Sequence, residues 1–424
     1  MKKKLSAFDA FLATSFVVMC IWLLTLIPIN AEILNPIEKT FSDFELTDIY
    51  FSHLKKSAEA APEIVLVNIG YMPREGIAEM INILNRYSPR IIGVDAFFRN
   101  LKNPESDSLL MDAFRNTSSL VLVSELYEND EALEIDSVGY SHPYFTRYAS
   151  SGFADMLTEG KDLFKVSREC VPWEIYQGDT LLSFPVQLAM LYAPEKARAF
   201  IQRDNQTEEI NYQGNIVTHM DGVTENSKNV FFALDVDQVF EEAFEPDIIR
   251  DKIVILGFMG ARFGDPSWED KFFTPLNSNY LGKTNPDMFG VVAHANILAM
   301  ILKGDFINNI PSYIEIPISL LLIFLNTWLF GWLFLNLKEW WDGVNMLVAL
   351  LEVLIIISIA IAVFHLFNYK FDITFLVITL FLSGNMIEFY FGLIVNYFRT
   401  RNIRKRKAAL ITKNNTVTPS PLTK

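Results

Sequence analysis

The sequence predicts an α/β domain with a mainly parallel sheet, set between one membrane-spanning helix ahead of it and three behind it. Three observations carry that reading. Glu63–Ile69 (EIVLVNI), Arg90–Phe97 and Ile253–Gly257 are nearly unbroken apolar runs, the pattern of strands buried on both faces. Segments of helical periodicity alternate with them, which is the order a parallel sheet needs. Four longer apolar runs flank the whole, each near the roughly 20 residues that cross a bilayer.

The elements follow in order. Phe11 to Ile29, behind Lys2, Lys3 and Lys4, is longer than a signal-peptide core and has no small-x-small cleavage site after it, so it reads as an uncleaved signal anchor. Residues 31–60 form an entry segment. After the strand Glu63–Ile69, Glu75–Tyr87 places Ile77, Met80, Ile81 and Leu84 on one helical face. Arg90–Phe97 is the second strand, Leu109–Phe114 lies in a second helix, and Leu120–Ser124 is the third strand. From Gly139 to Asp237 the pattern loosens. Val166–Cys170 and Glu174–Tyr176 read as strands, Phe184–Tyr192 as a helix, Asn205–Glu209 as a loop and Glu208–Val217 as a hairpin. Ile253–Gly257 returns to a buried strand and Val291–Leu302 to a helix. The last spans are Ile316–Leu335, Val344–Phe367 and Ile373–Phe398, with short connectors.

Charge fixes the expected orientation. The N-terminal lysines and the cluster Arg399, Arg401, Arg404, Lys405, Arg406 and Lys407 belong on the cytoplasmic side, and four spans put both ends there. The expected division is a cytoplasmic basic N-terminus (1–10), a transmembrane signal anchor (11–29), an extracytoplasmic domain (30–311), three transmembrane helices (312–398) and a short basic cytoplasmic tail (399–424). In a bacterium this is a multi-pass protein of the inner membrane with its large domain in the periplasm. The outer segment carries a net charge of about −20 while the remainder is basic. That balance argues against nucleic acid or anionic lipid as the partner of the outer domain. Cys20 lies in the first span, which leaves Cys170 alone outside. No disulfide closes within the outer domain, and Cys170 reads as a small buried apolar residue.

An ordered set of short motifs runs through the outer segment: SDFELTDIYF at 42–51, IVLVNI at 64–69, GVDAFF at 93–98 and DKIVILG at 251–257. Asp265, Thr274-Pro275, Gly290 and His294-Ala295-Asn296 follow. In these the chain resembles the CHASE type-two family, the sensory extracellular domain associated with cyclases and histidine kinases, together with its three-helix membrane block. The resemblance implies a sensory α/β domain that detects a periplasmic ligand or protein, commonly as a homodimer. Two departures stand out. The acidic pair and the Trp-Pro-Trp turn that often follow the first strand in such domains are replaced by Asn68-Ile69-Gly70-Tyr71-Met72-Pro73-Arg74. Family members also usually continue into a signalling output domain, whereas here Lys424 follows a short tail; the expectation is a signal passed to a membrane partner in trans.

Chemistry is sparse. The sequence shows no Walker-type loop, no metal-spaced Cys/His cluster and no nucleophile elbow, and Gly257, Gly260 and Gly264 miss the dinucleotide-loop spacing. The expectation is therefore no cofactor, no metal and no enzymatic activity. Asn68 and Asp95 end their strands and would meet at the carboxyl edge, where open α/β sheets place ligands. Candidate ligand-binding residues are Asn68, Arg74, Asp95, Asp265, Thr274, His294 and Asn296. Asp95, Asp265 and His294 could also form an acid–base site; the weightier reading of His294 is a helix-start residue that holds Thr274 or Asp265.

Asn326, Glu352, Asn385 and Glu388 interrupt the last three spans. At about 1.5 Å per residue, Asn326 and Glu388 lie about 15 Å from their cytoplasmic ends and Glu352 about 12 Å, a shared depth. Each carboxylate there costs about 2.5 kcal/mol or more. Three readings stand: glutamates protonated and hydrogen-bonded to Asn326 and Asn385, glutamates paired with a cation in a partner's membrane helix, or a proton path. The functional expectation is a non-enzymatic inner-membrane sensory or accessory protein. The alternatives are a structural subunit that senses nothing and, more remotely, a hydrolase.

Overall fold

The computed structural model describes residues 5–25, 46–55, 61–129, 134–155, 166–216, 229–277 and 285–397, with 400, 401 and 403. The chain divides into two units, Thr40–Ile307 and the pair of segments Met1–Lys39 with Asn308–Lys424.

The second of these holds helices α1 (Ala7–Thr25) and, later in the chain, Ser312–Leu337, Trp341–Phe367 and Thr374–Phe389. All four are long and apolar enough to cross a membrane. Helices are present at each of the four expected spans, of which residues 26–29 and 398 lie outside the described residues. The last continues as a π-helical turn over Tyr390–Val395.

The unit Thr40–Ile307 is a layered α/β structure. Its sheet has eight strands: β1 (Ile64–Asn68), β2 (Ile91–Asp95), β3 (Leu120–Asn129), β4 (Glu134–Gly139), β5 (Ser150–Phe153), β6 (Asn215–Ile216), β7 (Asn229–Leu234) and β8 (Ile253–Gly257). They lie in the order β6-β7-β1-β8-β2-β3-β4, with β5 also paired to β3. Every pair is parallel except β3 with β4. Burial on both faces explains the unbroken apolar runs: β1 and β8 are buried at every position.

One face is covered by α2 (Arg74–Asn85) and α3 (Pro104–Arg115). Their apolar stripes meet Val65, Val67, Ile92, Val94, Val254 and Leu256. The other face is covered by α4 (Phe184–Tyr192) and α5 (Gly290–Lys303), which pack on each other and on the sheet. Close approach of these two helices requires strand glycines. A β-carbon at Gly93 would stand 2.9 Å from Phe184 Cζ, and one at Gly257 would stand 2.7 Å from Val291 Cβ. α5 is buried along nearly its whole length, as its apolar sequence requires, and ends on Gly304 at φ +67°.

Two expectations are corrected. Glu208–Val217 is no hairpin over its described residues. Glu208–Glu209 pairs antiparallel with Glu169–Cys170, while Asn215–Ile216 joins β7 in parallel at the edge of the main sheet. Asn211 and Gly214, which resemble turn residues, instead bond to other elements: Asn211 Nδ2 donates to the Asp305 carbonyl, and Gly214 N–H donates to Asn296 Oδ1. Asn68 and Asp95 share the carboxyl edge but do not meet, because β8 lies between β1 and β2 and sets Gly257 between them.

Candidate functional site at the carboxyl edge

Strand alternation assigns the edge residues to one face. Ile92 and Val94 belong to the α2–α3 side, so Gly93 and Asp95 face α4 and α5. In register with Asp95 is Gly257, and in register with Gly257 is Asn68. Asn68, Gly257 and Asp95 thus form a row at the top of the sheet, beside the start of α5.

Asn68 is fully buried and saturated. Its Nδ2 donates to Asp235 Oδ1 at 2.9 Å and to the Gly260 carbonyl at 3.1 Å. Its Oδ1 accepts from Gly70 N–H at 3.0 Å and Met259 N–H at 2.9 Å. Asp235 in turn caps the helix Val236–Phe240 in a capping box with Gln238, and accepts from Phe263 N–H at 2.8 Å. These bonds lock the turns after β1, β7 and β8 together.

Asp95 is different. Among the described residues no hydrogen bond or ion pair reaches its carboxylate. Some of its surface is open to water, yet protein atoms crowd it, and this desolvation pushes its pKa up to about 7. Its electrostatic neighbour is Asp270, a residue the sequence did not single out. Asp270 keeps much of its surface exposed, but crowding, the Asp95 charge and Glu269 push its carboxyl up as well, to about 7. Asp270 takes φ +56°, its carbonyl accepts from Gly290 N–H at 2.9 Å, and its carboxylate oxygens lie 3.1 and 3.3 Å from where a β-carbon on Gly290 would stand. The acid therefore sits over the first residue of α5, a helix whose N-cap, Phe289, has no capping side chain.

His294 is one turn into α5 on the same face as Gly290. It is 3 % exposed, and its ring stands edge-on to Phe184 at 5.5 Å. The ring bonds the Ala154 backbone, burial pulls its pKa down to about 4, and among the described residues Nδ1 has no partner. The imidazole is thus neutral, with Nδ1 as a free acceptor. Ser183, the N-cap of α4, is 5 % exposed, and its Oγ also lacks a partner among the described residues. Ser183 adjoins Phe153 in a parallel bridge, one residue before Ala154.

The remaining predicted residues are internal ties. Arg74 forms a buried ion pair with Asp107, donates to the Asn100 carbonyl at 2.5 Å, and lies on the Phe145 ring at 5.1 Å. Thr274 Oγ1 donates to Asp287 Oδ2 at 2.6 Å, and its N–H donates to Oδ1 at 2.9 Å; burial pushes the Asp287 pKa up to about 6. Asp265 closes its own loop by accepting from Ala261 and Ser267 N–H, both at 2.9 Å, and those bonds hold its carboxyl below the usual range. Asn296 Oδ1 accepts from Gln213 N–H at 2.7 Å, and Nδ2 donates to the Gly214 and Val292 carbonyls, each at 2.9 Å. His294 therefore holds neither Thr274 nor Asp265. A capping pattern (Asp235-x-x-Gln238) was legible in the sequence. Nothing local marked Asp270 or Ser183.

Within the helical unit, label α6 (Ser312–Leu337), α7 (Trp341–Phe367) and α8 (Thr374–Phe389). Asn326 of α6 donates to Glu352 of α7 and accepts from Ser383 Oγ of α8 at 2.5 Å. Glu388 instead accepts from Trp341 Nε1 at 3.1 Å, and Asn385 accepts from Asn345 Nδ2 at 3.3 Å. The expected link between the glutamates and asparagines holds for Glu352 with Asn326 and not for Glu388. The shared depth fails too. Glu388 pairs with the first residue of α7, whereas Glu352 lies about 16 Å further along that helix.

Fold and site together define an α/β domain carried with helices long enough to cross a membrane, with an unsaturated acidic seat at its sheet edge. Residues 17–337 match the CHASE2 domain, and the chain belongs to that family, whose domain is a sensory extracellular one. No curated protein and no solved structure matches it.

Proposed function

We propose that this protein is a non-enzymatic inner-membrane sensor, with both termini cytoplasmic, whose periplasmic domain detects a small ligand or a protein at the Asp95–Asp270 seat. It then signals through its membrane helices to a partner in trans. The observation that carries the reading is the contrast in saturation: Asn68, Arg74, Thr274 and Asn296 have their bonds within the fold, whereas the Asp95 carboxylate has none among the described residues.

The seat has a route to both ends of the domain. α5 starts at the seat and runs 14 residues, about 21 Å, to Gly304. Midway, Asn296 holds the Gln213–Gly214 backbone just ahead of β6. Two residues upstream, Asn211 accepts from Lys55 Nζ of the entry segment and donates to the Asp305 carbonyl of the exit segment at 3.1 Å. A ligand that favours one arrangement of the α5 start would bias this tie, since it acts only through differential affinity for two states. The inner groups Glu352, Asn326 and Ser383 staple three spans, and the outward Asn385 and Glu388 are the contacts open to a partner helix.

Hydrogen exchange on the full-length protein in detergent tests this, with and without the low-molecular-mass fraction of a native extract. Slowed exchange over 257–272 and α5, extending to 305–307, supports a sensor. Exchange untouched by every fraction, in a protein that still purifies with a constant partner, makes it a structural subunit.

A further inference from the structure

We infer that Glu352 is a proton-binding site within the helical unit, and that the Asn326 amide relays its protonation to Ser383 of α8. This site is independent of the seat at the sheet edge.

Ser383 has more acceptors than protons. Its Oγ lies 2.5 Å from Asn326 Oδ1 and 2.8 Å from the Leu380 carbonyl, yet a serine hydroxyl donates only one hydrogen bond. Asn326 Nδ2 donates to Glu352 Oε2, and neither carboxylate oxygen makes another bond among the described residues. Glu352, Asn326 and Ser383 thus form a chain whose bonds can run in either sense. An Asn amide is nearly symmetric, and half a turn about its last side-chain bond exchanges its oxygen and nitrogen.

With Glu352 ionised, Nδ2 donates to the carboxylate and Ser383 donates to Asn326 Oδ1. With Glu352 protonated, its O–H needs an acceptor. The amide then turns to offer Oδ1, Nδ2 donates to Ser383 Oγ, and the serine O–H swings to the Leu380 carbonyl. The two arrangements differ by one proton, taken from or returned to water at Glu352. Each pairs every group in the chain, so neither carries the cost of an unmade bond.

The setting favours titration over a fixed ion pair. Asn326 lies eleven residues before the end of α6 and Glu352 eleven after the start of α7, so both stand about 16 Å from the join between these helices. Helices α1, α6, α7 and α8 contain no Lys or Arg. The other titratable groups on the helices packed against α7 lie toward the ends: Tyr313 and Glu315 open α6, and Asp342 and His365 begin and end α7 itself. The connector after α6 holds Lys338 and Glu339, and Tyr369 and Lys370 follow α7. Nearest is Glu388, with Tyr390 behind it, five residues past Ser383 on α8 or about 8 Å, where it accepts from Trp341 Nε1.

Ser383 is also where a bond change becomes a movement. A serine that bonds a carbonyl of its own helix one turn back bends that helix. The next residue, Gly384, abuts α7: a β-carbon there would stand 1.7 Å from Asn345 Oδ1. A bend at Ser383 therefore shifts α8 on α7 and carries to the turn at Tyr390–Val395.

The test is labelling of the full-length chain in phosphatidylcholine nanodiscs with dicyclohexylcarbodiimide, a lipid-soluble reagent that adds to protonated carboxyl groups, with the site read by mass spectrometry. Label on Glu352 is expected to fall at least about 10-fold from about pH 6 to about pH 9 as the proton leaves. Asp342→Asn, at the exposed start of α7, leaves that curve unchanged. Hydrogen exchange over 384–397 reads the relay, with each variant compared to the parent at one pH. Glu352→Gln, a permanently neutral side chain, matches the parent at about pH 6 and departs from it at least about 3-fold at about pH 9. In a Ser383→Ala background that departure disappears. Label undiminished at alkaline pH shows a permanently protonated staple and overturns the proposal. Absence of label at every pH overturns it too, because the carboxylate is then ionised throughout. A departure that survives Ser383→Ala overturns the relay. Labelling is read on the parent chain, so it decides the matter if Glu352→Gln fails to fold.

Discussion

Two halves of one sheet edge use the same chemistry to opposite ends. At the end of β1, Asn68 and the capping Asp235 exhaust each other's bonding capacity and tie three loops into one body. One strand beyond β8, Asp95 ends β2 at the same level, and among the described residues its carboxylate makes no bond. Both are buried or crowded polar residues at a strand terminus, so neither burial nor position separates a structural residue from a candidate functional one. Saturation does. An unmade bond at a desolvated carboxylate costs stability, a cost that the proposed ligand would offset.

The comparison breaks first at Asn68. Asn68→Leu removes four hydrogen bonds and strands the Gly260 carbonyl and two backbone N–H groups; the expected loss is about 3–4 kcal/mol, read as a fall in the unfolding midpoint of the full chain. Asp235→Ala removes the helix cap and one partner of Asn68, with an expected loss of about 2 kcal/mol. If either variant were as stable as the parent, the saturated half would not be structural. Asn211→Leu acts lower in the same network and costs about 1–2 kcal/mol, but its signature is faster exchange in both 46–55 and 305–307. Faster exchange in one segment alone would mean that Asn211 does not couple them.

Asp95→Asn has the smallest effect and the opposite sign. The Asp95 pKa is raised in the folded state, so its contribution to stability is fully present below the usual carboxylate range and is lost as pH rises toward and through about 7. Asp270 follows the same direction. The parent is expected to lose stability between about pH 4 and pH 7, and Asp95→Asn to flatten that slope and to be the more stable form at the alkaline end. A steeper slope in the variant would show that Asp95 is satisfied after all.

Much of the molecule was legible in its sequence, because the signals were periodic. Phe184–Tyr192 and Ile253–Gly257 occupy their expected residues, and the second strand and its neighbouring helices are within a few. The four apolar helices followed from length and composition. Strand order was not legible: the placement of β8 between β1 and β2 has no local trace, since any buried strand fits there by composition. The seat was half legible. Asp95 shows as a polar residue that ends an apolar run, but Asp270 lies in an irregular loop where left-handed backbone and one contact with Gly290, not pattern, decide its role. Asn296 and Thr274 were singled out as parts of the motif set that carries the family resemblance, yet each is used up by a bond to the chain itself.

The late insertion of β8 also governs how the domain is made. β1 and β2 are consecutive in sequence and joined by α2, but the native sheet never pairs them; each waits for a strand synthesised long afterwards. Contacts of that sequence separation close slowly. Any early pairing of β1 with β2 is a register error that must open before β8 can enter. The sheet core therefore stays unfinished until Gly257 has emerged, and its carboxyl edge takes shape only as the last central strand locks. Completion of the central sheet and formation of that edge are a single event.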